Sequence, residues 1–388
     1  MRFLTRTRLG LALVTLATAA AAVAAVPAAG AAAAVQASPV VGHVYVNDNT
    51  AGTNTIGAFD RHADGTLTPE AGSPFTAGGA GTGAGLASQG ALQISANGRF
   101  LIAVDAGSNQ ISVLRIKPGG ALSLVPGGVV SSRGTLPVSV TVHSDLVYAA
   151  NAGGGSSNYT GFRLGRGGRL TPIAGSTVAL PDAAQPGDVL FNGTGSKLVG
   201  TRVGTSQIDS FTVGPRGRLT AAPGSPFLAQ GLGPFGSEFR PTAPNQLFVS
   251  NAHNSGTGTI SAFRDPPDGS LSPIGASPFA DLQTAPCWVE ITHDGQFLFT
   301  VNTGAGSISR FSIAPGGRLR LLGSTPIRGS GLGAVDARLS PDGRYLYMDE
   351  SATGAVASLA VHGGNLTELA SSPTALPAGA APAGLVVT

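Results

Sequence analysis

Cysteine occurs only once, at Cys287, so no internal disulfide can form and packing alone must hold the fold. Charged residues make up only 11% of the chain, and no Lys/Arg cluster is present, which excludes the basic stripe of a nucleic-acid binder. Beyond the first forty residues no apolar run is long enough to cross a membrane. What the chain has in quantity is turn residues. It contains 58 Gly and 27 Pro, about 22% together, mixed with many Val, Ile, Leu and Phe. That mixture suits a turn-rich all-β protein with a sizeable core.

Residues 1–37 read as a secretory leader. Arg2, Arg6 and Arg8 precede the apolar, Ala-rich run Leu9–Val26, and small residues continue to Ala37, with Val35-Gln36-Ala37 an acceptable cleavage site. An uncleaved N-terminal anchor is the alternative. The formal net charge of +3 resides in those three Arg, so the mature chain carries about zero. The expected product is a secreted, extracellular monomer with no membrane or nucleic-acid partner, spanning residues 38–388 as one domain.

That domain is a repeat. A Gly-x-Leu turn places its Leu at Leu67, Leu122, Leu170, Leu219, Leu271, Leu319 and Leu366, at intervals of 47 to 55 residues. Pro286–Leu322 shows one unit: four short strands joined by an Asp294-Gly295 turn, a Gly-rich turn and a Gly316-Gly317 turn. Six first strands precede second strands, and the mature chain opens on a second strand, His43–Val46. The seventh first strand lies at the C-terminus, in Leu385–Val387. Pairing these two closes a ring and removes open sheet edges. The sequence therefore predicts a seven-bladed β-propeller of four-stranded antiparallel blades, its first blade completed by the C-terminal strand. Ser-Pro-Phe at 73–75, 225–227 and 277–279 is read as the exit from one blade to the next. Gly78–Gly90 is read as the most mobile loop.

The Pro-led first strands, the Gly-x-Leu turns and the motifs Asn97-Gly98-Arg99-Phe100-Leu101, Asp294-Gly295-Gln296-Phe297-Leu298 and Asp342-Gly343-Arg344-Tyr345-Leu346 together resemble the β-propeller lactonase family. That family includes 6-phosphogluconolactonase-like and carboxymuconate-cyclase-like proteins; YVTN-type surface propellers share similar signatures. The resemblance covers residues 42–388 and implies lactone chemistry. The family's enzymes often place Pro-Arg-His or Pro-His at the start of an inner strand. Here Pro137-Val138-Ser139, Pro186-Gly187-Asp188, Pro234-Phe235-Gly236, Pro286-Cys287-Trp288 and Pro382-Ala383-Gly384 hold neither the His nor the Arg, so no catalytic residue is carried over.

Strand alternation supplies candidates of its own. Counted from each Pro, one face holds Val138, Val189, Phe235, Cys287, Val289 and Val335, which are core residues. The other holds Ser139, Thr141, Asp188, Glu238, Trp288, Glu290, Asp336 and Arg338, with Gln93 from blade two. This polar face is expected to line the central channel. Glu290, Glu238 and Arg338 are the candidate catalytic groups, since crowded carboxylates raise one another's pKa and an Arg can stabilise an oxyanion. Asp188, Trp288, Asp336, Gln93, Thr141 and His253 are candidate ligand contacts, with Trp288 stacking on a ring. Asp105, Asn151, Asn251, Asn302 and Glu350 end second strands and read as turn caps. His62, His143, His293 and His362 are expected in solvent. No His/Asp/Glu spacing forms a metal motif, and no cofactor is expected. The two functions in view are a secreted lactonase-like hydrolase or cyclase acting on a sugar-derived or carboxylated lactone, and a non-catalytic extracellular binding propeller for a small molecule or carbohydrate.

Overall fold

Each sequence repeat becomes one antiparallel sheet, and there are seven of them. The computed structural model describes residues 38–253, 256–329 and 333–388. The segment read as a leader, 1–37, lies outside the described residues. In blade six the order follows the chain: Pro286–Ile291 innermost, then Phe297–Asn302, Ser307–Ile313 and Leu319–Pro326 outermost. Blade one is built from both ends of the propeller. Val40–Asn47 pairs with Leu385–Val387, bringing Val44 opposite Val387 and Val46 opposite Leu385. Flanking backbone bonds fasten the joint: Thr388 N donates to His43 O at 2.8 Å and Asn47 N to Gly384 O at 2.9 Å.

The outermost strand departs from the simple repeat. It is continuous in blade six, but elsewhere it is split into two short pieces that share the third strand, as Leu170–Pro172 and Val178–Ala179 share Asn158–Leu164. The Ser-Pro-Phe motifs occupy this break and not the exit from the blade. At the break a third-strand N–H loses its backbone acceptor. A serine hydroxyl replaces it: Ser73, Ser176, Ser225, Ser277 and Ser372 accept from Ala58, Gly161, Ser210, Ala262 and Ser358 at 2.7–3.0 Å. Satisfying that donor is what makes the interruption tolerable.

The core is divided. Seven apolar clusters are present among the described residues, each centred on the junction of two adjacent blades, and the one between blades six and seven also takes in Phe235 of blade five. Phe248 and Ile260 of blade five, for example, meet Val289, Leu298 and Phe311 of blade six. Each fully buried Phe or Leu contributes about 1.5–3 kcal/mol through the area it removes from water. Tyrosines stitch neighbouring blades at their polar ends. The hydroxyls of Tyr45, Tyr148 and Tyr347 donate to the carbonyls of Gly120, Gly217 and Gly65 at 2.7, 2.6 and 3.0 Å, each in the next blade. His62, expected in solvent, is buried and bonded to Ser38 O and Thr68 Oγ1 at 2.6 and 2.9 Å.

Candidate functional site

An innermost strand is an edge strand. One row of its N–H groups meets the second strand, and the other row faces the channel and must find acceptors there. The neighbouring blade supplies them. Ser139 Oγ accepts from Val189 N at 3.2 Å and Thr141 Oγ1 from Phe191 N at 3.1 Å. Asp188 Oδ2 accepts from Ser237 N at 3.0 Å and from its hydroxyl at 2.5 Å. Glu290 Oε1 accepts from Leu339 N at 2.9 Å. The polar face of these strands thus links blade three to four, four to five and six to seven around the channel.

Strand register sorts the channel residues into tiers. Gln93, Thr141, Glu238, Glu290 and Arg338 sit opposite Ile102, Tyr148, Phe248, Phe299 and Tyr347, which are corresponding second-strand positions. Ser139, Asp188, Trp288 and Asp336 lie two residues earlier in the repeat, nearer the upper face, where the innermost strands begin.

One guanidinium joins the acids. Arg338 Nη1 lies 2.9 Å from Asp336 Oδ1 and 3.5 Å from Glu290 Oε2. Burial opposes its charge, but Asp336, Glu290, Glu238 and Asp188 outweigh burial and raise its pKa above the ordinary value. The carboxyls are shifted upward as well. Burial takes Asp188 to about 7 against the pull of the Ser237 hydroxyl. It takes Glu290 to about 7 against the attraction of Arg338. Glu238 rises further, to about 8, because repulsion from Glu290 adds to burial. Burial also raises Asp336, opposed by Arg338 and by the N–H of Gly90. Crowding four buried acids around one cation therefore disfavours their simultaneous ionisation.

The upper end of the channel is filled by the chain itself. Gly78–Gly90, read as a mobile loop, begins as part of the strand Phe75–Gly81 and then turns inward, burying Leu86, Ser88 and Gln89. Gln89 reaches across: Nε2 donates to Ser237 O at 3.0 Å, and Oε1 accepts from Val289 N at 3.0 Å. Its backbone N–H donates to Gly187 O at 2.9 Å. Ser88 Oγ donates to Val138 O at 2.7 Å, and Gly90 N donates to Asp336 Oδ2 at 3.2 Å. Residues 88–90 thereby touch blades three to seven and act as a plug. Gly236 allows the crossing, because a Cβ there would collide with Gln89 Oε1.

The plug changes the role of Trp288. Expected to stack on a ligand, it is only 2% exposed, packs edge-on against Phe235 at 5.4 Å between centroids, and donates its indole N–H to Ser88 O at 2.8 Å. It is not free to stack. His253 likewise stays out of the cluster, bonding Thr259 Oγ1 of its own blade at 3.1 Å. The upper-rim residues Asp105, Asn151 and Asn302 pair within their blades with Ser112, Asn158 and Ser309, and Asn251 pairs with Ser261. Glu350 accepts from Thr353 Oγ1 at 2.6 Å. Cys287 is buried, and burial pushes its thiol up to about 11.

One of the acids, Glu238, reaches a cavity on the lower face. Glu238 borders a cavity of about 220 Å³ with Phe191, Gly193, Phe239, Arg240, Pro241 and Pro244, where the innermost strands of blades four and five end. A larger cavity, about 460 Å³, lies against blade six beside Arg318 and Arg320 and includes none of the channel acids. Sequence reasoning missed Gln89. A single polar residue in a Gly/Ala/Ser tract shows no periodicity, and the strand spacing gives no hint that its loop turns inward.

Residues 241–382 match the family model described as "Lactonase, 7-bladed beta-propeller". No curated protein sequence matches the chain. Among solved structures, a Bacteroides fragilis protein proposed to be a 6-phosphogluconolactonase is 21% identical with a TM-score of 0.72, covering 89% of this chain and 98% of its own. The periplasmic gluconolactonase of Pseudomonas aeruginosa is 16% identical with a TM-score of 0.72, covering 89% and 99%. A Lactobacillus plantarum protein is 19% identical with a TM-score of 0.70, covering 89% and 99%. Identities in this range establish a shared fold. The chain is thus similar to the seven-bladed β-propeller lactonases, by family model over residues 241–382 and by fold over 89% of its length.

Proposed function

We propose that the chain is a secreted lactonase-like propeller that hydrolyses or forms a sugar-derived or carboxylated lactone in the lower half of its channel. One observation carries this reading: Glu238, whose carboxyl is pushed up to about 8 by burial and by Glu290, borders a lower-face cavity and shares its tier of the channel with Glu290 and Arg338. In hydrolysis, ionised Glu290 takes a proton from water as the water oxygen bonds to the lactone carbonyl carbon. Arg338 stabilises the oxyanion that forms. Protonated Glu238 donates to the ring oxygen as the acyl C–O bond breaks, giving a hydroxy acid. Lactone formation runs the same steps in reverse. A cavity of about 220 Å³ suits a single small ring.

A screen of aldonolactones and carboxylated lactones tests this reading. Glu238→Gln, Glu290→Gln and Arg338→Ala should each lower kcat by about 10²–10⁴-fold. Activity unchanged in all three rejects the site. Inactivity of the wild type on every lactone favours the second reading, a non-catalytic extracellular binding propeller. The closed upper end of the channel and the use of Asp188, Glu290 and Asp336 as acceptors for backbone N–H groups favour that alternative. Export is checked by the mass of the protein recovered outside the cell, which should start between residues 26 and 38.

A further inference from the structure

Outside the channel, three potential ligand groups meet on the side of blade one. His43 stands opposite Asp60 in the pairing of the two central strands. Glu70 follows the next strand, its N–H bonded to Ala58 O. One ligating atom from each of these three residues lies within 4.8 Å of the other two. His43 Nδ1 is 3.2 Å from Asp60 Oδ1, close to the roughly 3.4 Å between tetrahedral ligands at zinc bond lengths. Nδ1 is shut off from solvent, and Asp60 is its ion-pair partner in the metal-free chain. The imidazole is also walled in, since a Cβ at Gly120 of blade two would collide with it. Among the described residues no Lys or Arg pairs with Asp60 or Glu70. The adjacent Arg61 turns instead to Thr388 O at 3.0 Å and Val41 O at 3.2 Å. A solvent-shielded imidazole nitrogen beside two carboxylates that none of the described Lys or Arg neutralises presents a donor set for a cation.

We propose that His43, Asp60 and Glu70 bind a borderline divalent transition ion, zinc in the first instance, and that this ion clasps the ring closure. One imidazole and two carboxylates suit zinc and its neighbours and leave a position for water. The alkaline-earth ions, which want oxygen alone, have no use for the His. The clasp follows from where His43 sits. Its backbone N–H donates to Thr388 Oγ1 at 3.0 Å, and its carbonyl accepts from Thr388 N at 2.8 Å. A metal that fixes the His43 side chain therefore fixes the strand on which Leu385–Val387 docks. The spacing of 17 and 10 residues across three strands matches no metal motif, so the site was invisible in the sequence.

The test is calorimetric titration of zinc chloride into the chelator-stripped full chain, with melting curves and amide hydrogen exchange on the same samples. One ion should bind per chain and raise Tm as free zinc rises. The amides of Val386 and Thr388 should exchange more slowly. Glu70→Gln and Asp60→Asn, each compared with its own metal-free Tm, should weaken zinc by more than the roughly 10–100-fold typical of outer-shell changes. Zinc affinity unchanged in both variants, or absence of stoichiometric binding to the wild type, overturns the site. Equal shifts with magnesium or calcium overturn the choice of ion, and unaltered exchange at Val386 and Thr388 overturns the clasp.

Discussion

Asp336 and Glu238 line one channel two blades apart, both with carboxyls pushed up by burial, but their surroundings differ. Asp336 is fully buried under the plug, with Gly90 N and Ala337 N on its two oxygens and Arg338 at 2.9 Å. Among the described residues Glu238 has no cation within ion-pair distance; it faces the repulsion of Glu290 and borders a cavity. An elevated pKa alone does not separate an acid that holds the structure from one available for chemistry. The number of partners and the route to solvent do. Three substitutions bear on that contrast.

The largest effect is expected from Asp336→Ala. It leaves Gly90 N and Ala337 N without acceptors and takes from Arg338 its nearest carboxylate. The cost should be about 3–5 kcal/mol, toward the lower figure because Glu290 remains, read from the denaturant midpoint. A loss under about 1 kcal/mol would erase the distinction between the two acids.

Gln89→Ala comes next. It orphans Val289 N and releases the crossing to blade five, so stability should fall by about 1–3 kcal/mol. The indole N–H of Trp288 should also exchange faster, because its acceptor, Ser88 O, lies in the loosened segment. Unchanged exchange would mean that the plug stays seated without its glutamine.

Glu238→Gln should change stability least on the acid side, and its effect should grow with pH. With a folded-state pKa of about 8 against 4.5 unfolded, the folded protein binds the extra proton between those values. The stabilising proton is fully present below pH 4.5, and the advantage is lost as pH rises to about 8. The substitution should therefore flatten the fall in stability over that window while leaving the acid side nearly unchanged. A wild-type curve already flat from pH 4.5 to 8 would show that Glu238 is not shifted, and its assignment as the acid would fail with it.

Much of this was readable in advance, for physical reasons. The closure was legible because a strand without a sheet and a sheet without its first strand leave complementary sets of unpaired backbone groups. The tier of Glu238, Glu290 and Arg338 was legible because alternation has a fixed period of two. Trp288 obeyed that alternation and was still misread, since period says which way a side chain points and not what covers it. The cover was the segment around Gln89, where Gly-rich composition suggested mobility and hydrogen bonds to five blades overrule it. The His43 group was illegible for a related reason: three strands bring together residues that no local spacing connects.

The division of the interior has a consequence of its own. Phe248 and Phe311 share one apolar cluster, whereas Phe162 belongs to another three blade junctions away and has no neighbour in common with them. Damage at Phe162 and Phe311 should therefore add, while truncating both Phe248 and Phe311 should cost something other than the sum. The molecule is gripped at many separate seams around a hoop instead of at a single kernel, so a wound in one seam leaves the distant ones intact until the hoop itself parts.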